Sequence, residues 1–113
     1  MGKETSDFDR WLRTVETATE NLGLVDSLNT VALVVGKDFG VSLWFVEIFG
    51  RRWSYLAGRM PEQCPQSNIE RIELKRNIGL VSDSWEKLSE GDRTRLVEFL
   101  RRLVSERLIG CGT

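Results

Sequence analysis

Near the N-terminus the apolar positions recur at helical spacing. Phe8, Trp11, Leu12, Val15 and Leu22, with Thr19 among them, share one side of a 3.6-residue wheel and predict an amphipathic helix over residues 6–22. Ser6 stands three residues ahead of Asp9, a capping-box variant, and Asp7 and Asp9 suit the positive end of a helix dipole. Gly23, with Leu24 behind it, fits a glycine stop. The pattern then changes. "TVALVV", residues 30–35, is short and β-branched, and Gly36 and Gly40 bracket "KDF", which predicts a buried strand closed by a glycine-containing turn.

The stretch "VSLWFVEIFGRRWSYLAGRM", residues 41–60, carries the densest aromatic content in the chain. Gly50 at the first central position of a two-residue turn predicts a type II′ hairpin. Counting outward from that turn pairs Phe49 with Arg52, Ile48 with Trp53, Val46 with Tyr55 and Trp44 with Ala57. One hairpin face then holds Trp44, Val46, Ile48, Trp53, Tyr55 and Ala57. The other holds Leu43, Phe45, Glu47, Phe49, Arg52, Ser54 and Leu56. Beyond it, "PEQCPQSN", residues 61–68, contains both prolines and no apolar period, so a loop is expected. "IERIELK" alternates as a half-exposed strand does, with Ile72 and Leu74 on one side, and "NIGLVSD" extends it or forms a short further strand. "SWEKL" reads as a helical turn. Ser89 then caps a helix over residues 90–108 whose apolar stripe is Leu96, Val97, Phe99, Leu100, Leu103, Val104 and Leu108, with Gly110 as its stop.

These elements predict one α+β domain over residues 1–113, frayed at 1–5 and 110–113. Its order is α-β-β-β-β-α. An antiparallel four- to five-stranded sheet, a meander, is flanked by the N-terminal and the C-terminal helix. Short links between strands disfavour a parallel doubly wound sheet, which needs crossover helices.

Composition adjusts the picture little. The 113 residues are 41% hydrophobic and 29% charged, an ordinary globular balance. The net charge of −1 gives no global attraction to nucleic acid or anionic membrane. Lys37, Asp38 and Glu47 interrupt the most apolar region, so no membrane span is expected. "MGKETS" fits the permissive N-myristoylation pattern, but Ser6 is better explained as a helix cap. Two well-separated cysteines, Cys64 and Cys111, suit a reducing compartment and a cytoplasmic location.

Candidate chemistry is sparse. The chain has no His, which removes the commonest general base, nucleophile partner and metal ligand. No phosphate loop or cysteine-rich metal set is present, so no cofactor or metal is expected, and catalysis is the less favoured class. Asp7, Asp9, Glu90 and Asp92 sit at helix starts, where acids stabilise the dipole. Three functional classes remain. The first is a non-catalytic interaction or adaptor module. Two helices cover one sheet face, and Leu43, Phe45, Phe49 and Leu56 on the other form a surface for a homodimer or for a protein or peptide partner. The second is weak single-stranded nucleic-acid binding by Arg51, Arg52, Trp53 and Arg59, with cations for phosphate and rings for bases. The third is a small-ligand pocket between sheet and helices. Glu47, mid-strand between Phe45 and Phe49, would gate it, and Trp11, Trp44, Trp53 or Trp85 would line it.

Overall fold

The structure is a computed structural model that describes residues 7–59, 69–75 and 77–111, the last four of them by backbone alone. The expected cap at Ser6, the lipidation pattern, the proline loop and Cys64 lie outside the described residues. The chain forms α1 (Asp7–Ala18), α2 (Leu24–Phe39), β1 (Leu43–Phe49), β2 (Arg52–Gly58), β3 (Glu70–Lys75), β4 (Ile78–Ser82), one 3-10 turn (Trp85–Lys87) and α3 (Glu90–Cys111). The class is α+β, with a four-stranded antiparallel sheet and its helices on one side.

The first difference from the sequence expectation is α2. Residues 30–35 are not a strand but the middle of a 16-residue helix. Starting the count at Leu24 explains it. Leu24, Leu28, Val31, Ala32, Val35 and Phe39 form one continuous apolar stripe, and all of them join the main core. The β-branched run is the densest part of that stripe. Tertiary burial outweighs its strand propensity, a difference of only tenths of a kcal/mol per residue. Gly23 therefore starts α2 rather than stopping α1: its carbonyl accepts the Ser27 N–H at 2.9 Å. Gly40 closes α2 in the left-handed region, φ 68°, and donates its N–H to the Gly36 carbonyl at 3.1 Å.

The second difference is strand order. The sheet runs β2-β1-β4-β3, so it is not a simple meander. Both hairpins form between sequence neighbours, but β1 and β4 pair in the centre, with Phe45 opposite Leu80 and Trp44 opposite Val81. The most apolar strands thus take the inner places, and the polar-alternating "ERIELK" becomes an edge.

The hairpin turn matches expectation. Phe49–Arg52, Ile48–Trp53 and Val46–Tyr55 are paired, and Gly50 has φ 63° with no non-glycine residue at positive φ, as a type II′ turn requires. A bulge then shifts the register between Phe45 and Val46, so Trp44 faces Gly58 instead of Ala57. Ala57 moves to the helix side and is buried there. Gly58 is needed at this point. Its φ is 98°, and a Cβ would come within 2.7 Å of the Trp44 Cα.

The core lies between the sheet and all three helices, with Leu43, Phe45, Leu74, Ile78 and Leu80 meeting Leu28, Val35, Leu96 and Leu100. Phe8, Trp11 and Phe39 stack together, and the Trp11 Nε1–H donates to Asp38 at 2.7 Å, locking α1 to α2. Arg107 ties α3 to the same junction. It donates to the Thr19 and Leu22 carbonyls at 2.6 and 2.9 Å, where α1 ends. The α3 cap is as expected, with the Asp92 N–H donating to the Ser89 hydroxyl at 3.2 Å, though the helix runs past Gly110 to Cys111.

Candidate functional site

Which face of the sheet is covered decides the fate of the sequence candidates. Leu43 and Phe45 are 0% exposed, beneath the helices. They are core, not the expected partner surface, because α2 brings a third helix to that side. Leu56 is half-buried against the same core. Phe49 points to the same side but lies beyond the helices, at the hairpin tip, and is exposed. The face without helices is the other one. It holds a small cluster of Trp44, Val46 and Val81, with Ile48 and Ile69 packed against it. Trp53 lies across this face from β2: a Cβ on Gly79 of β4 would meet its indole at 2.9 Å and Ile48 at 3.3 Å.

The exposed large hydrophobics among the described residues are Val25 (42%), Leu33 (56%), Phe49 (58%), Trp53 (37%) and Tyr55 (52%). Trp53 and Tyr55 are on the edge strand β2, and Phe49 is at the turn beside it. Val25 and Leu33 lie one helical turn either side of Asn29 on α2, so all three share one stripe. The Asn29 carbonyl oxygen accepts the Gly58 N–H of β2 at 2.7 Å, which fixes that stripe against the β2 edge. The exposed apolar residues therefore form two groups: Val25 and Leu33 on α2, by the Gly58–Arg59 end of β2, and Trp53 and Tyr55 on the helix-free face of β2, with Phe49 at the turn.

Strand geometry shows what the edge offers. A two-residue hairpin begins at a hydrogen-bonded pair, Phe49–Arg52, after which bonded and non-bonded pairs alternate. Ile48 follows this pattern: its N–H turns away from β2 and donates to the Asn77 carbonyl at 2.8 Å. By the same alternation Trp53 and Tyr55 turn their N–H and C=O groups outward. Past the bulge Gly58 also faces outward, but it is closed from within. Asn29 takes its N–H, and the Tyr55 hydroxyl donates to its carbonyl at 2.6 Å. Among the described residues, the open part of the edge is thus the segment around Trp53 and Tyr55.

The remaining candidates are dispersed. Arg51 and Arg52 are at the hairpin tip and Arg59 is just past the opposite end of β2, all exposed. Arg52 and Trp53, as strand neighbours, point to opposite faces. Glu47 is half-buried on β1 between Ser54 of β2 and Ile78 of β4. The sheet separates the four tryptophans: Trp11 and Trp85 pack on the helix side, Trp44 and Trp53 on the other face. A cleft of about 540 Å³ between α1 and α3 is lined by Arg13, Glu16, Glu20, Arg102, Glu106 and Arg107 among others, so its charges balance. Another, of about 440 Å³, lies where α2 turns into β1, with Ala32, Leu33 and Leu43 as its apolar wall and Lys37 and Arg59 at its rim. Among the described residues no cluster of His, Cys, Asp or Glu could hold a metal ion, and no helix is long and apolar enough to cross a membrane.

The sequence reading missed Val25 and Leu33 because it took their neighbours for a strand. It assigned Trp53 and Tyr55 to the covered face. The signal that corrects both is the 24–39 helical stripe, which adds a helix to the Leu43–Phe45 side. Comparison with family models, with curated proteins and with solved structures finds no match in any of the three.

Proposed function

We propose that the protein is a non-catalytic interaction module that self-associates through its α2–β2 side. The observation that carries this is the exposed pair Trp53 and Tyr55 on the edge strand β2, with exposed Phe49 at the turn beside it and exposed Leu33 of α2 near its other end. Scattered exposed apolar residues are ordinary, whereas a grouped set rimmed by polar residues marks an interaction surface. Tyr and Trp are also the residue types enriched where binding energy concentrates. A second copy is the simplest occupant, since most soluble oligomers are symmetric homodimers. The surface differs from the expected Leu43, Phe45, Phe49 and Leu56 set, of which Phe49 alone is well exposed.

Nucleic-acid binding by Arg51, Arg52, Trp53 and Arg59 draws less support. Its cations stand at opposite ends of β2, and the chain has a net charge of −1. A pocket gated by Glu47 draws less still, because the tryptophans meant to line it are on opposite sides of the sheet.

The test is molar mass by light scattering across a concentration series. The wild-type chain should rise toward twice its 13.0 kDa, and the Leu33→Lys/Phe49→Lys variant should stay at 13.0 kDa with an unchanged melting temperature. Both positions are exposed, so the substitutions should cost the fold no more than ~0.5 kcal/mol each. A wild-type chain that stays at the monomer mass at every concentration would overturn the proposal.

A further inference from the structure

We propose that the two copies join by antiparallel pairing of β2 with β2 of the second copy, about a two-fold axis beside Ser54, to give one continuous eight-stranded sheet. This rests on the self-association proposed above and specifies its geometry.

The free edge limits the choices. Among the described residues, outward backbone groups are open at Trp53 and Tyr55, while Gly58 is closed by Asn29 and by the Tyr55 hydroxyl. An antiparallel two-fold can be centred on Trp53, Ser54 or Tyr55. Centred on Ser54, it places Trp53 opposite Tyr55 of the second copy, and the reverse, so that all four open N–H and C=O groups find partners. Centred on either neighbour, it leaves groups facing no partner, and unpaired groups are costly once covered.

The side chains agree with this register. On the helix-free face Trp53 falls opposite Tyr55 of the second copy, the position of a cross-strand aromatic pair. Arg52 falls opposite Leu56 and the turn residue Arg51 opposite Ala57, so no arginine meets an arginine across the junction. The axis is perpendicular to the sheet and keeps both helix layers on one side. The Val25–Asn29–Leu33 stripe, held at Gly58 by Asn29, then falls beside the hairpin tip of the second copy, since Gly58 comes opposite its Gly50. β2 carries Arg52 as its one charge and no proline, whereas the opposite edge β3 carries four charges, Glu70, Arg71, Glu73 and Lys75, that guard against edge pairing.

Cross-linking at the axis tests the geometry. The full chain would carry Cys64→Ser and Cys111→Ser, with either Ser54→Cys or Arg52→Cys added. Ser54 residues facing across the axis form a non-hydrogen-bonded pair, with Cα atoms about 4.5 Å apart, inside the disulfide range. The two Arg52 residues would be separated by four residues of strand, about 13 Å, too far to bridge. Under oxidised glutathione, Ser54→Cys should run as a covalent dimer and Arg52→Cys should not, with both reduced forms matching the wild-type circular dichroism. Tyr55→Pro removes one outward N–H together with the hydroxyl's bond to the Gly58 carbonyl and should shift the equilibrium to monomer, whereas Tyr55→Phe, which gives up only the hydroxyl bond, should leave the dimer in place. A wild-type dimer whose Ser54→Cys form fails to cross-link, or cross-links no better than Arg52→Cys, would overturn this register and leave self-association standing. A wild-type monomer would overturn both.

Discussion

At the scale of single residues, two glycines of the sheet resist substitution for different reasons. At Gly58 an added methyl would meet the Trp44 backbone at 2.7 Å and the Leu43 carbonyl at 3.0 Å, and the residue is at φ 98°. Neither obstacle can move without moving β1. Gly58→Ala should therefore destabilise the fold by about 2–4 kcal/mol, combining backbone strain with overpacking. At Gly79 the methyl would meet side chains only, the Trp53 ring at 2.9 Å and Ile48 at 3.3 Å. The half-exposed indole can swing outward, so Gly79→Ala should cost under about 1 kcal/mol and shift the tryptophan emission to longer wavelength. Urea denaturation with fluorescence detection measures both. Neither role was legible in the sequence. "LAGR" marks a glycine after a strand, but the approach of Trp44 depends on a bulge that no local signal announces. Gly50 was legible, because a two-residue turn between aromatic strands needs positive φ at its first central position.

At the scale of elements, the hairpin and α3 could be read because their signals are local. One is a glycine turn between β-formers, the other a serine cap ahead of a long apolar stripe. α2 could not, because a β-branched run within a helix looks like a strand until residues 24 and 28 are added to its pattern. That single element changed the face that is covered. The hairpin has two apolar faces, and choosing between them needs the number of helices on each side. Leu43 and Phe45 became core as a result, and Trp53 and Tyr55 became surface. The consequence can be measured. Phe45→Ala should cost about 3–5 kcal/mol, as removal of a fully buried ring does, and should lower the urea midpoint. If Phe45 were instead a contact at a partner surface, the monomer would keep its stability and lose only association.

At the scale of the whole molecule, the two-layer build leaves its edges unequal. β3 alternates charged and apolar residues, and α3 packs beside it, with Arg101 donating to the Glu73 carbonyl at 3.0 Å. β2 has Trp53 and Tyr55 at its centre and, one layer up, Val25 and Leu33. An edge so apolar, with its backbone open at those two residues, invites another strand. The inequality follows from the order β2-β1-β4-β3, which places the aromatic strand outside and "IGLVS" inside. Sequence spacing did not reveal it, since pairing of β1 with β4 is a long-range choice.

The most direct measurement is amide hydrogen exchange of Trp53 and Tyr55 at two protein concentrations. The account predicts slow exchange when the protein is concentrated and fast exchange on dilution, while the Ile48 amide, bonded to Asn77 within the chain, stays slow in both. Fast exchange of Trp53 and Tyr55 at both concentrations would mean that nothing covers the edge, and would contradict self-association through it.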